Sequence, residues 1–531
     1  MNGTNDFLCH IAGNVTKPGI QIQSNNTPPW VQAAGISWKC HGETVTAVQE
    51  GETVRLVLSD VSAGSRQIEW NRGTSQAILR RADLWSKPFY FYMGDGELVV
   101  SDSLRQIIRI MPVQPRICEN ALDTYLALEF FPAPITPFHE IYKVGVEETC
   151  LLNLSTKSKK WITGPLPERL FDSFEQAAKD VSEALQEVMS KHTRQDSDEL
   201  VLLCSGGLDS TIMAHFMRGH GRAIVLSYVD SWKDEVMRAR QTAEHARLPL
   251  QEIKLPDFGA EVFYEYAGLL DEPLGGTCSY AISHLCRAVQ PGARIIGGHG
   301  SGALSFTNFQ HRHLRDSLNS GPPETLEERF CSNVMYMDAD MRKGLLESGS
   351  DVHVQNPVAA MLERELPFQK DRFHALHAII RRQLCIAEET TQIWPVFEAF
   401  GHKPVIPLLE KAVYTAMDRF RESVLRNERY ERRLLNEIAR RHCTGYIPQP
   451  IQLGYGLPLG LAGYPNEYNM EEVVTAFSGG PVSDSGLYRL LDSSRKAETG
   501  KEKFYWLRRL WSAVLLNAWI KRNIVIHPDG P

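Results

Sequence analysis

The stretch LVLLCSGGLDST, residues 200–211, decides the fold of this chain. Its apolar run over residues 200–204 is short enough to predict a buried parallel strand, and residues 210–218 are predicted to form the helix that follows. Two glycines and an Asp-Ser pair separate the two elements. Glycines let backbone N–H groups turn towards a ligand, and a helix N-terminus adds partial positive charge. The stretch is therefore typical of a phosphate-binding loop.

The same alternation of strand and helix continues on both sides of this stretch. Strands are predicted over 223–229 and 250–255 and from 294 onward, and helices over 171–192, 234–246 and 280–289. Such alternation predicts a doubly wound α/β sheet that is covered by helices on both faces. Ligands bind such sheets at the carboxyl ends of the strands, which is where the glycine-containing loop lies.

The side chains of the loop have the chemistry that a phosphate site needs. The hydroxyl groups of Ser205, Ser210 and Thr211 can donate to phosphate oxygens. The carboxylate of Asp209 would be repelled by phosphate unless Mg²⁺ lay between them, so we expect it to bind that ion. The alternative is a tight turn in which Asp209 or Ser210 only caps the helix. The place of the loop at the end of a strand favours the ligand site.

The first 150 residues carry a different, β-rich pattern. Short segments rich in β-branched or aromatic residues predict strands over 52–58, 89–93 and 97–101. The stretch Gly94-Asp95-Gly96 predicts a hairpin turn between the last two strands. After about residue 325 the pattern becomes helical and charged, as over 419–441, and includes a Gly/Pro-rich loop over 447–465.

Composition excludes several classes of protein. The 531 residues suffice for about two to four domains. Lys and Arg number 57 and Asp and Glu 64, and this net charge of −7 excludes bulk electrostatic binding to nucleic acid or an anionic membrane. No apolar run approaches the roughly 18 residues of a membrane span, and no secretory signal is visible. The ten cysteines include no CxxC pair, which predicts reduced thiols in a cytoplasmic protein.

The loop and several other segments resemble one known family. SGGLDS, residues 205–210, resembles the PP-loop of ATP pyrophosphatases, which cleave ATP between its α- and β-phosphates. Further segments resemble the asparagine synthetase-like family: Asp83, KPFY at 87–90, FPAP at 131–134, IYK at 141–143, DEP at 271–273 and GHGSG at 298–302. The resemblance implies a degenerate glutaminase-like domain of the Ntn-hydrolase type over 1–153. It implies an adenylating α/β domain with a helical C-terminal part over 168–531.

The resemblance also implies the ligands and the residues that bind them. ATP and Mg²⁺ are the expected ligands, and Asp209 is the expected ligand of the metal. The residues implied in nucleotide binding are Leu203, Ser205, Gly206, Gly207, Asp209, Ser210, Gly298 and Gly300.

The N-terminus departs from a working glutaminase of that family. Such a glutaminase needs a cysteine directly after the initiator methionine, and Asn2 stands there. Cys9 lies too far along the chain to replace it and is expected in the core. Glutamine is therefore not the expected nitrogen donor. The same loss is seen in β-lactam, carbapenam and lasso-peptide macrolactam synthetases, which adenylate a carboxylate and close a ring with an amine of the same substrate.

His299 distinguishes these branches. The family places Glu at this position in asparagine synthetases and Tyr in β-lactam synthetases, whereas His resembles the lasso-peptide cyclases. An imidazole with a pKa of about 6.5 could accept the proton of an attacking amine. The alternative is a structural histidine in a glycine turn. Glu388 or Glu389 falls near a glutamate of the β-lactam synthetases and could orient His299, although an exposed helix face explains either equally well.

Two departures bear on catalysis. Gly302, followed by Ala303, replaces an aspartate that is a second Mg²⁺ ligand in the family. A lysine of the C-terminal loop is also absent, and Gln452 is the nearest match. Other candidates for completing the metal site are Asp230, Asp271 and Glu272.

The sequence thus favours an AMP-forming amide ligase that closes a macrolactam in a ribosomal peptide. A leader peptidase and a leader-binding protein are the partners that the resemblance implies. A small-molecule amide or β-lactam synthetase is one alternative. A catalytically weakened subunit that binds a nucleotide or a peptide is the other.

Overall fold

A computed structural model describes most of the chain. The described residues are 7–12, 20–24, 31–32, 37–40, 43–50, 53–60, 64–71, 73–94, 97–111, 113–194, 198–227, 233–346, 356–427, 431–443, 445 and 466–524. They form two compact units, each assembled from separate stretches of chain. Unit 1 comprises Met1–Leu122, Phe131–Pro167 and Pro357–Thr391, and unit 2 comprises Asp123–Phe130, Glu168–Asn356 and Gln392–Pro531.

The strands belong to three sheets. In chain order they are β1 (Phe7–Ala12), β2 (Ile20–Ser24), β3 (Val31–Gln32), β4 (Ser37–Cys40), β5 (Glu43–Glu50), β6 (Thr53–Asp60), β7 (Gly64–Asn71), β8 (Gln76–Arg81), β9 (Phe89–Met93), β10 (Glu97–Ser101), β11 (Ile141–Val144), β12 (Glu148–Asn153), β13 (Ser158–Thr163), β14 (Leu200–Leu203), β15 (Arg222–Ser227), β16 (Leu250–Lys254), β17 (Arg294–Ile296) and β18 (Lys403–Val405).

The helices lie mostly in the second half of the chain. They are α1 (Leu104–Ile110), α2 (Glu119–Leu128), α3 (Phe174–Thr193), α4 (Leu208–Met217), α5 (Lys233–Ala246), α6 (Ala260–Ala267), α7 (Cys278–Arg287), α8 (Ser301–Leu304), α9 (Phe309–Asn319), α10 (Leu326–Val334), α11 (Ala339–Lys343), α12 (Pro357–Glu365), α13 (Arg372–Ile379), α14 (Glu388–Ala399), α15 (Lys411–Asp418), α16 (Glu422–Leu425), α17 (Arg433–His442), α18 (Glu467–Ala476), α19 (Asp484–Lys496) and α20 (Gly500–Asn523). Short 3₁₀ turns occupy Pro323–Thr325, Leu366–Phe368 and Pro407–Leu409, and a π-helix occupies Ile380–Ala387. In the described part of the chain, no helix is both long and apolar enough to cross a membrane.

Unit 1 contains two antiparallel sheets. Their strand orders are β11-β9-β10-β1-β2-β3 and β13-β12-β8-β7-β6-β5-β4. Buried side chains from both sheets, among them Ile68, Leu79, Phe91 and Val100, form one hydrophobic cluster, so the sheets pack face to face. The β-rich prediction agrees with this arrangement, whereas the glutaminase-like resemblance stays a prediction. Asn2, Asp95 and Gly96 lie outside the described residues, and so does the side chain of Cys9.

A segment from the second half of the chain, Pro357–Thr391, belongs to unit 1 rather than to unit 2. Its side chains contact strands and loops of the first half. The Gln383 side chain accepts a hydrogen bond from the backbone N–H of Ala133 at 3.0 Å. The Thr163 hydroxyl donates to Glu365 at 3.0 Å. The predicted start of the second domain at residue 168 coincides with a boundary between the units, whereas the predicted end of the first domain at residue 153 does not.

Unit 2 is built on a five-stranded parallel sheet in the order β16-β15-β14-β17-β18. All four residues of β14 are buried, as expected for the central strand. The chain leaves β14 for one side of the sheet and later returns to the other side as β17. Because a ligand crevice forms where the strand order reverses in this way, the expected binding site lies beyond the carboxyl ends of β14 and β17. The prediction of an α/β fold with a parallel sheet is confirmed.

Element boundaries differ from the predictions for local reasons. Helix α3 begins at Phe174 because the Ser173 side chain caps it by accepting from the N–H of Gln176 at 3.2 Å. Phe171, predicted in that helix, instead forms a β-bridge with Phe420. The predicted strands from 89 and 97 and the one from 294 are observed with the expected bounds, as β9, β10 and β17.

Candidate active site

The loop between β14 and α4 has a backbone that requires glycine at one position. Gly206 has φ +67°, a region that side chains other than glycine rarely adopt. A Cβ added there would lie 2.5 Å from the backbone N of Ala239, so α5 packs directly against the loop. Gly207 is different, because its φ of −76° is ordinary and a Cβ would approach only Ser205 Oγ, at 3.2 Å.

This contrast predicts that the two neighbouring glycines tolerate alanine differently. Gly206→Ala is expected to destabilise the protein by about 1–3 kcal/mol from backbone strain alone, with the collision against α5 in addition. Gly207→Ala is the matched control and is expected to unfold near the wild-type temperature. Thermal unfolding measures both variants. Equal unfolding temperatures would show that α5 does not hold the loop as described.

The loop hydroxyls hold the loop in shape. The hydroxyl oxygens of Ser205 and Ser210 lie 3.3 Å apart, and Ser210 donates to the carbonyl of Gly207 at 3.1 Å. Leu203, the last residue of β14, is buried. The hydroxyl oxygen of Thr211 lies 3.2 Å from that of Thr242 on α5. Thr211 therefore has a partner on α5, and its contact with a phosphate oxygen stays a prediction.

A second loop, residues 297–301 after β17, meets the first one. A Cβ added to Gly298 would lie 2.6 Å from the Cβ of Asp209, so a side chain at this position would separate the two loops. Gly300 has φ +88°, and a Cβ there would collide with Leu409. The structure therefore brings the predicted residues of both loops together at the carboxyl ends of β14 and β17.

Asp209 lies at the contact between the two loops. Its Oδ2 accepts hydrogen bonds from the Ser301 hydroxyl at 2.9 Å and from Arg432 Nη1 at 2.5 Å. Its Oδ1 is buried and has no hydrogen-bond partner among the described residues. A buried carboxylate oxygen that accepts no hydrogen bond destabilises the folded protein unless a bound ligand interacts with it.

The arrangement fits Mg²⁺ bound with a phosphate ligand. Mg²⁺ is usually held by one or two carboxylates together with substrate phosphates, and Asp209 supplies one carboxylate. Within the described ranges, no group of three or more His, Cys, Asp or Glu side chains could hold a metal by itself. Asp271 and Glu272 are buried in unit 2, whereas Asp230 and Gln452 lie outside the described residues.

His299 follows Gly298 in the second loop and is half-buried. Desolvation lowers the pKa of its imidazole to about 4, and its Nδ1 has no hydrogen-bond partner in the described part of the chain. The ring is therefore neutral at neutral pH and can accept a proton, but its pKa is lower than the 6.5 expected from the sequence. Glu388 and Glu389 are half-buried residues of unit 1, whereas His299 belongs to unit 2. Their predicted contact with His299 stays a prediction.

Sequence reasoning missed several residues near the loop. Arg432 is separated from Asp209 by 223 positions and lies in a charged stretch that gave no signal. Ser301 lies within the quoted GHGSG segment but was given no role. Burial raises the pKa of Glu235, on α5, to about 7, and Arg238 on the same helix packs against Gly206.

Comparisons with known proteins identify the family of this chain. The asparagine synthase family profile matches residues 180–521. A Methanocaldococcus jannaschii protein named "Putative asparagine synthetase (glutamine-hydrolyzing) 2" is 23% identical over 228 residues, which cover 39% of this chain and 42% of that protein. This chain thus spans less than half the length of that curated relative.

Solved structures give a much weaker likeness. The NH3-dependent NAD synthetase of Campylobacter jejuni is 14% identical and matches 32% of this chain and 82% of its own, with a TM-score of 0.17. The NMN synthetase of Francisella tularensis is 12% identical and matches 25% of this chain and 58% of its own, also with a TM-score of 0.17.

Proposed function

This chain belongs to the asparagine synthase family, and we propose that it is an ATP-dependent carbon–nitrogen ligase that releases AMP and pyrophosphate. In its more specific form, the proposal is the closure of a macrolactam in a peptide whose Asp or Glu side chain is joined to its own N-terminal amine. A leader peptidase and a leader-binding protein in the cytoplasm are the partners proposed with it.

The main observation that supports the proposal is that the two loops contact each other at Asp209. The β14–α4 loop presents a glycine backbone at a helix N-terminus, as an anion site requires. The second loop comes close enough at Gly298 to leave no room for a side chain, and Ser301 donates to Asp209. The proposed phosphate-binding loop and the second loop, which carries His299, therefore both lie where the strand order of the sheet reverses.

The first proposed half-reaction uses the phosphate loop. A substrate carboxylate oxygen attacks the α-phosphorus of ATP, and the bond between that phosphorus and the oxygen bridging to the β-phosphate breaks. The products are an acyl-adenylate and pyrophosphate. We assign the binding of the phosphates to backbone N–H groups of the loop and to the hydroxyls of Ser205 and Ser210, whose oxygens lie 3.3 Å apart. Mg²⁺, held by Asp209, would neutralise phosphate charge when bound.

The second half-reaction forms the amide bond. The amine nitrogen attacks the acyl carbon, the carbon–oxygen bond to AMP breaks, and one proton leaves the nitrogen. We assign the acceptance of that proton to the neutral imidazole of His299. The main contribution of the site is to hold the amine against the acyl carbon, because alignment converts an encounter into an intramolecular step.

The test combines mass spectrometry with nitrogen labelling. A candidate precursor peptide incubated with ATP and Mg²⁺ is expected to lose the mass of one water and to yield one AMP per ring. ¹⁵N-labelled glutamine or ammonia is expected to leave the product unlabelled, because the amine comes from the substrate itself.

Other results of these experiments would indicate a different function. Label in the product would contradict intramolecular closure. Pyrophosphate exchange with small amino-acid-like carboxylates but with no peptide would indicate a small-molecule amide or β-lactam synthetase. Absence of exchange with every carboxylate would indicate a nucleotide- or peptide-binding subunit.

A further inference from the structure

The ion pair between Asp209 and Arg432 is the feature of the site that the proposed function leaves unexplained. Arg432 is 4% exposed, so its guanidinium lies almost wholly out of water. Its Nη1 donates to Asp209 Oδ2 at 2.5 Å and lies 3.4 Å from the Ser301 hydroxyl. A buried charge without a partner is strongly unfavourable, so the two side chains hold each other in the site.

The main chain fixes the position of Arg432. The residue directly precedes α17, and its carbonyl accepts from both the backbone N–H and the side-chain amide of Asn436, each at 2.9 Å. Among the described residues, Nη1 is the guanidinium atom with protein hydrogen-bond partners. The other N–H groups of the guanidinium therefore remain available to an anion at the loop.

The two carboxylate oxygens of Asp209 therefore differ in the hydrogen bonds that they accept. Oδ2 already accepts two hydrogen bonds, whereas Oδ1 accepts none from the described residues. Gly302, which follows Ser301 and is buried in α8, has no side chain that could bind a metal. The described part of the site thus offers one carboxylate oxygen and one fixed cation.

We propose that Arg432 is a permanent positive charge of the phosphate site. It occupies Oδ2 of Asp209, so that only one divalent ion can bind there, at Oδ1. Its guanidinium also supplies to the phosphates the positive charge that a second ion would supply. The identity of the anion, the triphosphate of ATP, rests on the proposed function. The competition between Arg432 and a metal for Asp209 does not rest on it. A guanidinium suits this role because it is always charged and can donate to several phosphate oxygens at once.

The test measures Mn²⁺ binding to the protein without nucleotide, by electron paramagnetic resonance of free Mn²⁺. Arg432→Met removes the charge and frees Oδ2, so Mn²⁺ is expected to bind at least about tenfold more tightly than to the wild type. The same variant is expected to bind ATP with Mg²⁺ about 10–100-fold more weakly, because a charge-assisted contact is lost. Arg432→Lys keeps the charge and is expected to keep Mn²⁺ binding weak and to recover most of the ATP affinity.

Arg440→Met is the matched control, because Arg440 lies exposed on α17, the helix that Arg432 precedes, and pairs with Glu437. It is expected to change neither affinity. If Arg432→Met does not fold, Arg432→Gln carries the same prediction for Mn²⁺, since it is neutral and can still donate to Asp209. Unchanged Mn²⁺ affinity in the neutral variant would overturn the proposal, and so would an equal change in Arg440→Met. A wild type that exchanges pyrophosphate with no carboxylate would contradict the proposed function, but the Mn²⁺ comparison would still test Arg432.

Discussion

Asp209→Ala is expected to reduce ATP-dependent pyrophosphate exchange and AMP release by at least about 10³-fold. Asp209 is the carboxylate that the structure places at the phosphate loop, with Oδ1 buried and without a donor among the described residues. Its removal would eliminate the proposed metal ligand and leave the buried charge of Arg432 without its counter-ion. Both effects disfavour productive binding of the phosphates. Exchange of labelled pyrophosphate into ATP measures the loss.

A second variant separates chemistry from folding. Asp209→Asn keeps the shape of the side chain and an acceptor for the Ser301 hydroxyl, and it is expected to fold and to lose exchange nearly as completely. Asp257→Ala removes an exposed carboxylate of the same unit and is expected to leave exchange unchanged. AMP release at the wild-type rate by a folded Asp209→Ala protein would contradict the assignment of the phosphate loop.

His299→Ala is expected to separate the two half-reactions. Adenylation uses the phosphate loop and Asp209, whereas ring closure needs a proton acceptor for the amine. Exchange should therefore change little, and closure should fall by about 10²–10⁴-fold, the usual worth of general-base catalysis. The acyl-adenylate would then hydrolyse and give AMP without lactam. Parallel assays of exchange and of ring formation measure the two effects.

The pH profile gives this prediction a second readout. Because burial lowers the pKa of His299 to about 4, the imidazole loses its ability to accept a proton only as the pH falls through that value. Wild-type closure should therefore show no acidic limb near pH 6.5 from this group. His220→Ala, which removes an exposed histidine, serves as the control. An equal loss of exchange and closure in His299→Ala would indicate that the ring only shapes the glycine turn.

The local pattern was sufficient to predict the strand before the phosphate loop and the helix after it. Strand β17 and helix α5 follow the predicted ranges closely because each has a clear apolar periodicity and ends at polar or glycine residues. The edge strand β18 was not predicted. It has only three residues, Lys403–Val405, and includes Pro404, which local propensity disfavours in a strand although a sheet edge tolerates it.

The sequence by itself determined that a strand runs through SGGLDS into a helix, because glycine conformation, helix capping and hydrophobic periodicity all act over a few residues. The pairing of Asp209 with Arg432 was decided only by the tertiary structure, since 223 positions separate them and no local pattern links them. The low pKa of His299 likewise depends on burial, which the local sequence did not predict. Contacts and desolvation of this kind arise only when the loops after β14 and β17 meet and the start of α17 packs against Asp209.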